Sequence, residues 1–337
     1  MARQVRNVLA WIALLLGLLA LASHYLTPWP GVLLVRAAFA RGAAQLSAGL
    51  EKHVPAGVRS RLGIVYDPAD PDARLDIFTP GVGTRQGPTI VWVHGGGYVA
   101  GDRSEIANYL KVLAGQGFGV VAVGYSIAPE RTYPTPVRQV NAALGFLGRE
   151  GRRLGVDPDR IIVAGDSAGA QIAAQVANLV TAPAYARAMG IAPAIGPDRL
   201  RGAILFCGPY DGELLGGPAE MSWFMRTTSW AYSGRRDHRD NPQFRLMSIT
   251  TFATPAFPPA FVSAGNGDPL LPHSLSLARA LRGRGVPVDS LFFPGHEPPL
   301  PHLYQFDLDV PAGREALRRA LAFARRVGGE PAAVPAQ

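Results

Sequence analysis

The run Gly165-Asp166-Ser167-Ala168-Gly169 constrains this chain more than any other feature. It follows the apolar stretch Ile161-Ile162-Val163-Ala164 and precedes a helical pattern that extends to Leu179. A G-x-S-x-G sequence between a strand and a helix forms a sharp turn, which strains the serine backbone and lifts its hydroxyl above the sheet. Glycines on both sides let strand and helix approach without colliding β-carbons. Standing alone, the pentapeptide also fits an ordinary strand-to-helix loop. Its meaning depends on what else the chain carries.

Upstream, the strand-like Thr89-Ile90-Val91-Trp92-Val93 runs directly into His94-Gly95-Gly96-Gly97-Tyr98. Acyl transfer builds negative charge on a carbonyl oxygen, and preorganised backbone N–H groups stabilise it. Consecutive glycines leave such groups uncovered. The candidate oxyanion donors are Gly96, Gly97 and Ala168, the last being the residue after the serine. A flexible turn or a phosphate cradle would be the alternative. The chain has no Gly-Lys-Ser/Thr and no G-x-G-x-x-G after this strand, which argues against a nucleotide site.

With these two motifs the chain resembles the hormone-sensitive-lipase-like branch of the α/β-hydrolases, the bacterial family IV esterases included. Gly101-Asp102 and Tyr125-Ser126-Ile127-Ala128-Pro129-Glu130 add to the likeness. It covers roughly residues 60 to 325. The family usually has arginine where this chain has Ser126 and aspartate where it has Gln139, both positions of scaffold contact. The resemblance implies a serine carboxylesterase that needs no cofactor and acts on small to medium apolar acyl esters.

A serine hydroxyl needs a base, usually histidine oriented by a carboxylate, and in this architecture the order is serine, acid, histidine. Asp268 lies in Gly265-Asn266-Gly267-Asp268-Pro269-Leu270 at the end of the apolar run Pro259–Ser263. The resembled family places its acid in a G-x-x-D-P-L loop. An Asx turn or a helix N-cap is the competing role for Asp268. For the base, both His296 and His302 follow the last strand candidate. The family's histidine is typically followed two residues later by an aromatic, as in His302-Leu303-Tyr304, so His302 is favoured and His296 is the alternative base. Metal ligation by the pair is disfavoured, because a zincin helix cannot form across the intervening prolines. Histidines 24, 53, 94, 238 and 273 have no ligand spacing, and His94 is expected to brace the glycine loop.

The chain's 337 residues allow one large domain or two, and motifs that must converge from residue 167 to 302 favour one. Candidate strands at 62–66, 73–78, 89–93, 119–124, 161–164, 202–206, 259–263 and 286–293 alternate with helical patterns near 106–115, 138–154, 168–179, 272–284 and 312–327. This predicts an α/β-hydrolase fold, a mostly parallel eight-stranded sheet with helices on both faces. The catalytic domain is expected over 61–328, preceded by an N-terminal cap helix region at 27–60. A cap insertion is expected at about 210–258, and a disordered tail at 329–337. Met221, Trp223, Phe224, Met225, Trp230 and Tyr232 give the insertion an apolar surface suited to ligand contact or to plain core packing.

The single cysteine, Cys207, excludes an internal disulfide and reads as a buried thiol after a strand. The net charge of +8 is almost all arginine, scattered rather than gathered with aromatics along a groove, so nucleic acid is not an expected partner. A small ester is. Residues 1–26 carry Arg3 and Arg6 before an uncharged stretch from Val8 to Ala22. That is the shape of a signal peptide, or of an uncleaved membrane anchor if Ser23 to Leu26 are included. An interfacial helix extending the cap is a third option. Export, or anchoring with the catalytic part outside the cytoplasm, is the expected location.

The reading is a serine carboxylic-ester hydrolase with Ser167 as nucleophile, His302 as base and Asp268 as orienting acid. Its rivals are an acyltransferase or amidase with the same triad, and a catalytically silent anchored binding protein.

Overall fold

The central strands are short runs of aliphatic residues with both faces covered. In the computed structural model, which describes residues 2–81, 87–217 and 222–329, Thr89–Val93, Gly119–Val123 and Ile161–Asp166 are buried along their whole length. Continuous burial of this kind belongs to parallel strands sandwiched between helices. The sheet has eight strands: β1 (Arg59–Val65), β2 (Arg74–Thr79), β3 (Thr89–Val93), β4 (Gly119–Val123), β5 (Ile161–Asp166), β6 (Leu200–Phe206), β7 (Ala260–Ser263) and β8 (Val288–Leu291). Their order is β1-β2-β4-β3-β5-β6-β7-β8. The β1–β2 and β2–β4 pairs are antiparallel, and the remaining pairs are parallel.

The helices are α1 (Ala2–Tyr25), α2 (Trp29–Glu51), α3 (Ala107–Gly115), α4 (Thr135–Leu154), α5 (Ser167–Thr181), α6 (Pro183–Met189), α7 (Trp223–Ser233), α8 (Ile249–Phe252), α9 (Leu271–Arg282) and α10 (Pro311–Val327). The sheet divides the core in two. One side buries Val137, Leu144, Ile172, Val176 and Leu277 from α4, α5 and α9. The other buries Leu110, Leu113, Ala316 and Phe323 from α3 and α10. Strand order reverses between β3 and β5, so the chain leaves β3 toward one face and β5 toward the other. A crevice opens there at the carboxyl ends of the strands, the usual place for a ligand in such a sheet.

The eight strands and the mostly parallel order agree with the sequence reading; the element edges shift. β8 is confined to 288–291, inside the expected 286–293, because Phe293 takes a positive φ of 47° and turns the chain away. α4 starts at Thr135 rather than 138, since a proline in the first turn has no N–H to leave unsatisfied. α6 was not expected.

The insertion between β6 and β7 folds over the crevice and meets α2. Ser222 caps α7 by accepting the Met225 N–H at 3.2 Å. Phe39 of α2 stacks on Phe224 of α7 with centroids 5.8 Å apart and planes 5° from parallel. A β-carbon on Gly31 would lie 2.8 Å from Thr227 Cγ2, so glycine permits this crossing. Trp223 is partly exposed, whereas Tyr232 is fully buried against Tyr98, centroids 4.0 Å apart. Met221 and the expected disordered tail from 330 onward lie outside the described residues.

α1 stands apart from this core. Arg3–Ala22 is long and apolar enough to cross a membrane, and none of it is buried. Leu33 and Leu34 continue the exposed apolar surface onto α2.

Candidate active site

β5 ends at Asp166, and Ser167 begins α5 with a φ of 51°. That left-handed backbone is strained for a serine and is the turn expected of a G-x-S-x-G sequence. The turn is tight enough that a β-carbon on Gly169 would fall 2.1 Å from the Val93 carbonyl oxygen.

The structure brings Ser167, His302 and Asp268 together from three separate loops. His302 Nε2 is 3.2 Å from Ser167 Oγ, and His302 Nδ1 is 2.9 Å from Asp268 Oδ2. The other carboxylate oxygen of Asp268 accepts the Leu270 N–H at 2.7 Å. Asp268 thus makes the Asx turn that was the competing reading, and reaches the imidazole as well. Its side chain is fully buried, while that of His302 is about a third exposed (32%). His296 lies elsewhere. It is half-buried, and its Nδ1 is 2.9 Å from the Pro298 carbonyl oxygen, which accepts.

Burial works against the charged form of His302, but Cys207 and the Asp268 carboxylate favour it, and the net direction is well upward from 6.5. Burial also pushes the Cys207 thiol up, so it is neutral near pH 7 and Asp268 carries the effect. Cys207, with a positive φ of 44°, directly follows β6. Its sulfur, an Asp268 oxygen and a His302 nitrogen all lie within 4.8 Å of one another. The sequence marked this cysteine as buried but could not place it beside the histidine, because that depends on β6 lying between β5 and β7.

The glycine loop is built around Gly96 and Gly97, with φ of 117° and 59°. A β-carbon on Gly96 would sit 1.9 Å from the Ala100 carbonyl oxygen, so only glycine fits. Neither Gly96 nor Gly97 donates its N–H to a protein acceptor among the described residues. Ala168 is in the first turn of α5, where N–H groups have no intrahelical partner. His94 braces the loop: its neutral Nδ1–H donates to the Gly95 carbonyl at 2.8 Å, and its ring stacks on Tyr125 at 4.2 Å. Burial lowers its pKa, which keeps it neutral.

Two residues were missed by sequence reasoning. Asp166 is buried behind the loop, accepting from Trp92 Nε1 at 2.9 Å and from the Gly95 N–H at 3.1 Å. Burial pushes its carboxyl up to about 6 against those bonds. Asn266 ties the acid loop to the base loop, accepting the Leu300 N–H and donating to the His296 carbonyl, both at 2.8 Å. Asp166 lay inside the serine motif itself; Asn266 carried no signal beyond its place in the Gly265–Asp268 turn. The two departures from the family pattern touch each other. The Ser126 N–H donates to Gln139 Oε1 at 2.8 Å, and Gln139 Nε2 donates to Ser126 Oγ at 2.7 Å.

Two cavities adjoin the serine turn. A groove of about 550 Å³ runs beneath α2, between Phe39, Gly42 and Leu46 on one wall and His302 and Leu303 on the other. A cavity of about 30 Å³ lies beside Ser167, Ala168 and Gly97 and is closed by Leu215, Phe224 and Thr228.

A family model described as α/β hydrolase fold matches residues 90–298. The chain is 32% identical over 268 residues to the carboxylesterase NlhH of Mycobacterium tuberculosis, covering 76% of this chain and 78% of that protein. It is 30% identical over 295 residues to the esterase LipI of the same organism, covering 80% and 88%. Among solved structures, the thermostable carboxylesterase EstE1 from a metagenomic library superposes with a TM-score of 0.69 at 26% identity, over 90% of this chain and 98% of that one.

Proposed function

The chain belongs to the hormone-sensitive-lipase-like carboxylesterases of the α/β-hydrolase superfamily, and from that premise we propose that it hydrolyses carboxylic esters through Ser167, His302 and Asp268. The observation that carries this is the continuous hydrogen-bonded line from Asp268 through His302 to Ser167, at 2.9 and 3.2 Å. His302 Nε2 takes the serine proton as Oγ attacks the ester carbonyl, while Asp268 holds the proton on Nδ1 and stabilises the imidazolium. The uncommitted N–H groups of Gly96, Gly97 and Ala168 receive the oxyanion. Collapse expels the alcohol with the proton from His302 and leaves an acyl-Ser167. The same histidine then activates water to release the acid. No step needs a metal or cofactor.

The exposed, apolar α1 supports a membrane anchor or export signal for a catalytic domain held outside the cytoplasm. Flotation of the intact protein with liposomes tests this; a protein that stays at the bottom of the gradient removes the anchor. For the chemistry, Ser167→Ala should abolish p-nitrophenyl ester turnover and fluorophosphonate labelling while the protein stays folded. Turnover surviving that substitution overturns the mechanism.

A further inference from the structure

The face that α2 turns away from the core is not that of a helix meeting water. Val32, Val35 and Leu50 point inward, while Leu33, Leu34, Ala37, Ala40, Arg41 and Ala44 are exposed. A helix face in water normally carries charge, as α10 does with exposed Arg314, Arg318 and Arg326. On α2, Arg41 is the one charge in that set, and no acid occurs between Trp29 and Leu50. Trp223 of α7 extends the patch: its ring is partly exposed, with Cζ2 3.2 Å from where a Gly31 β-carbon would stand.

α1 indicates what covers this face. Its apolar stretch is unburied and ends at Ala22, and only Leu26, Thr27 and Pro28 separate α1 from α2. With α1 in a membrane, the start of α2 is held at the membrane surface, and the side chains there suit that depth. Tyr25, Trp29 and Trp223 are exposed amphipathic rings, of the kind that gather at lipid headgroups. Arg236 lies over the Tyr25 ring at 4.9 Å and Arg36 over the Trp29 ring at 5.6 Å. Arg235 and Arg236 are both exposed, a charge complementary to anionic headgroups. Two nearby acids are already neutralised, Glu130 by Arg36 and Asp237 by Arg239.

We propose that the exposed face of α2, together with Trp223, lies on the bilayer that α1 enters, with Leu33 and Leu34 at the boundary between headgroups and acyl chains. This rests on the anchor reading above and goes beyond it, since an anchor alone leaves the catalytic domain free to swing on the Leu26–Pro28 link. The consequence for the site follows from α2 itself. Ala38 and Gly42, both exposed, form the lip of the groove that reaches Gly96 and His302. Ala38 is one helical turn from Leu34. A domain docked in this way opens its groove at the lipid surface, so an ester dissolved in the membrane reaches Ser167 without crossing bulk water.

Cys207 is fully buried, so a cysteine introduced at Leu34 or Ala37 takes an environment-sensitive fluorophore selectively. The intact chain carrying Leu34→Cys or Ala37→Cys, in vesicles of phosphatidylethanolamine and phosphatidylglycerol, should emit at shorter wavelength and be quenched by brominated acyl chains. Arg153→Cys, exposed at the far end of α4 where the strands begin, should show neither. Adding Leu33→Glu and Leu34→Glu to Ala37→Cys should lower the ratio of shielded to water-exposed label by about tenfold. Unchanged turnover of p-nitrophenyl acetate in that variant shows that the fold is intact. Water-like emission at 34 and 37 in a chain that floats with the vesicles overturns the docking and leaves the anchor standing. Shielding without quenching by brominated lipid overturns it too, because a second copy of the chain then covers the face. A chain that stays at the bottom of the gradient overturns the anchor reading and the docking built on it.

Discussion

Replacing Asp268 by asparagine tests how the base is held, with almost no change in shape. In the native site one carboxylate oxygen accepts the Leu270 N–H at 2.7 Å and the other faces His302 Nδ1 at 2.9 Å. An asparagine must keep its carbonyl oxygen on the Leu270 N–H, because its amide nitrogen cannot accept there. The NH₂ group then points at Nδ1 and makes that nitrogen the acceptor. The ring hydrogen is forced onto Nε2, which faces Ser167 at 3.2 Å and can no longer take the serine proton. A wrong tautomer of this kind lowers kcat by about 10⁴, equivalent to about 5 kcal/mol of transition-state stabilisation. KM should change little, since Asp268 lines neither cavity. Steady-state kinetics on p-nitrophenyl acetate, with the rate of fluorophosphonate labelling as a second readout, would measure the loss. A thermal melt close to that of the parent would show that the site is intact. If Asp268→Asn retains kcat within about tenfold of the parent, Asp268 does not set the tautomer and the reasoning fails.

The rate of hydrolysis should climb with pH. Because the pKa of His302 is raised above 6.5, the imidazole stays protonated to higher pH and cannot serve as base until it titrates. A kcat/KM profile whose lower limb fell at or below 6.5 would contradict that environment. The same shift means that the His302–Asp268 pair stabilises the fold most fully below pH 6.5, and its contribution fades as pH rises through the elevated pKa. His296→Ala should keep most of the activity, because its ring meets the Pro298 carbonyl and the Phe293 ring and makes no hydrogen bond to Ser167 or Asp268, whereas His302→Ala should be inactive; a dead His296 variant would transfer the role of base. Asn266→Ala removes two half-buried bonds between the acid and base loops and should destabilise the protein by about 1 kcal/mol in urea unfolding, with kcat falling more than KM rises. An unchanged midpoint would show that the loops are held by other contacts, such as the Gly267 N–H to the Leu300 carbonyl at 2.9 Å.

The sequence by itself determined the local pieces. Runs such as Thr89–Val93 and Ile161–Ala164 read as candidate strands, and Gly95–Gly97 and Gly165–Gly169 allow backbone turns that other residues do not. The order of Ser167, Asp268 and His302 along the chain was readable too, because these signals depend on near neighbours and on periodicity. The tertiary structure alone decided which histidine stands 3.2 Å from the serine, since His296 and His302 leave the same strand and only packing separates them. It placed Cys207 beside His302, Asn266 across two loops and Asp166 behind the glycine loop. It also set the unequal cavities, whose dividing wall pairs Phe39 of α2 with Phe224 of α7. These features arise where strands adjacent in space but distant in sequence end side by side, and no local pattern of residues encodes that distance.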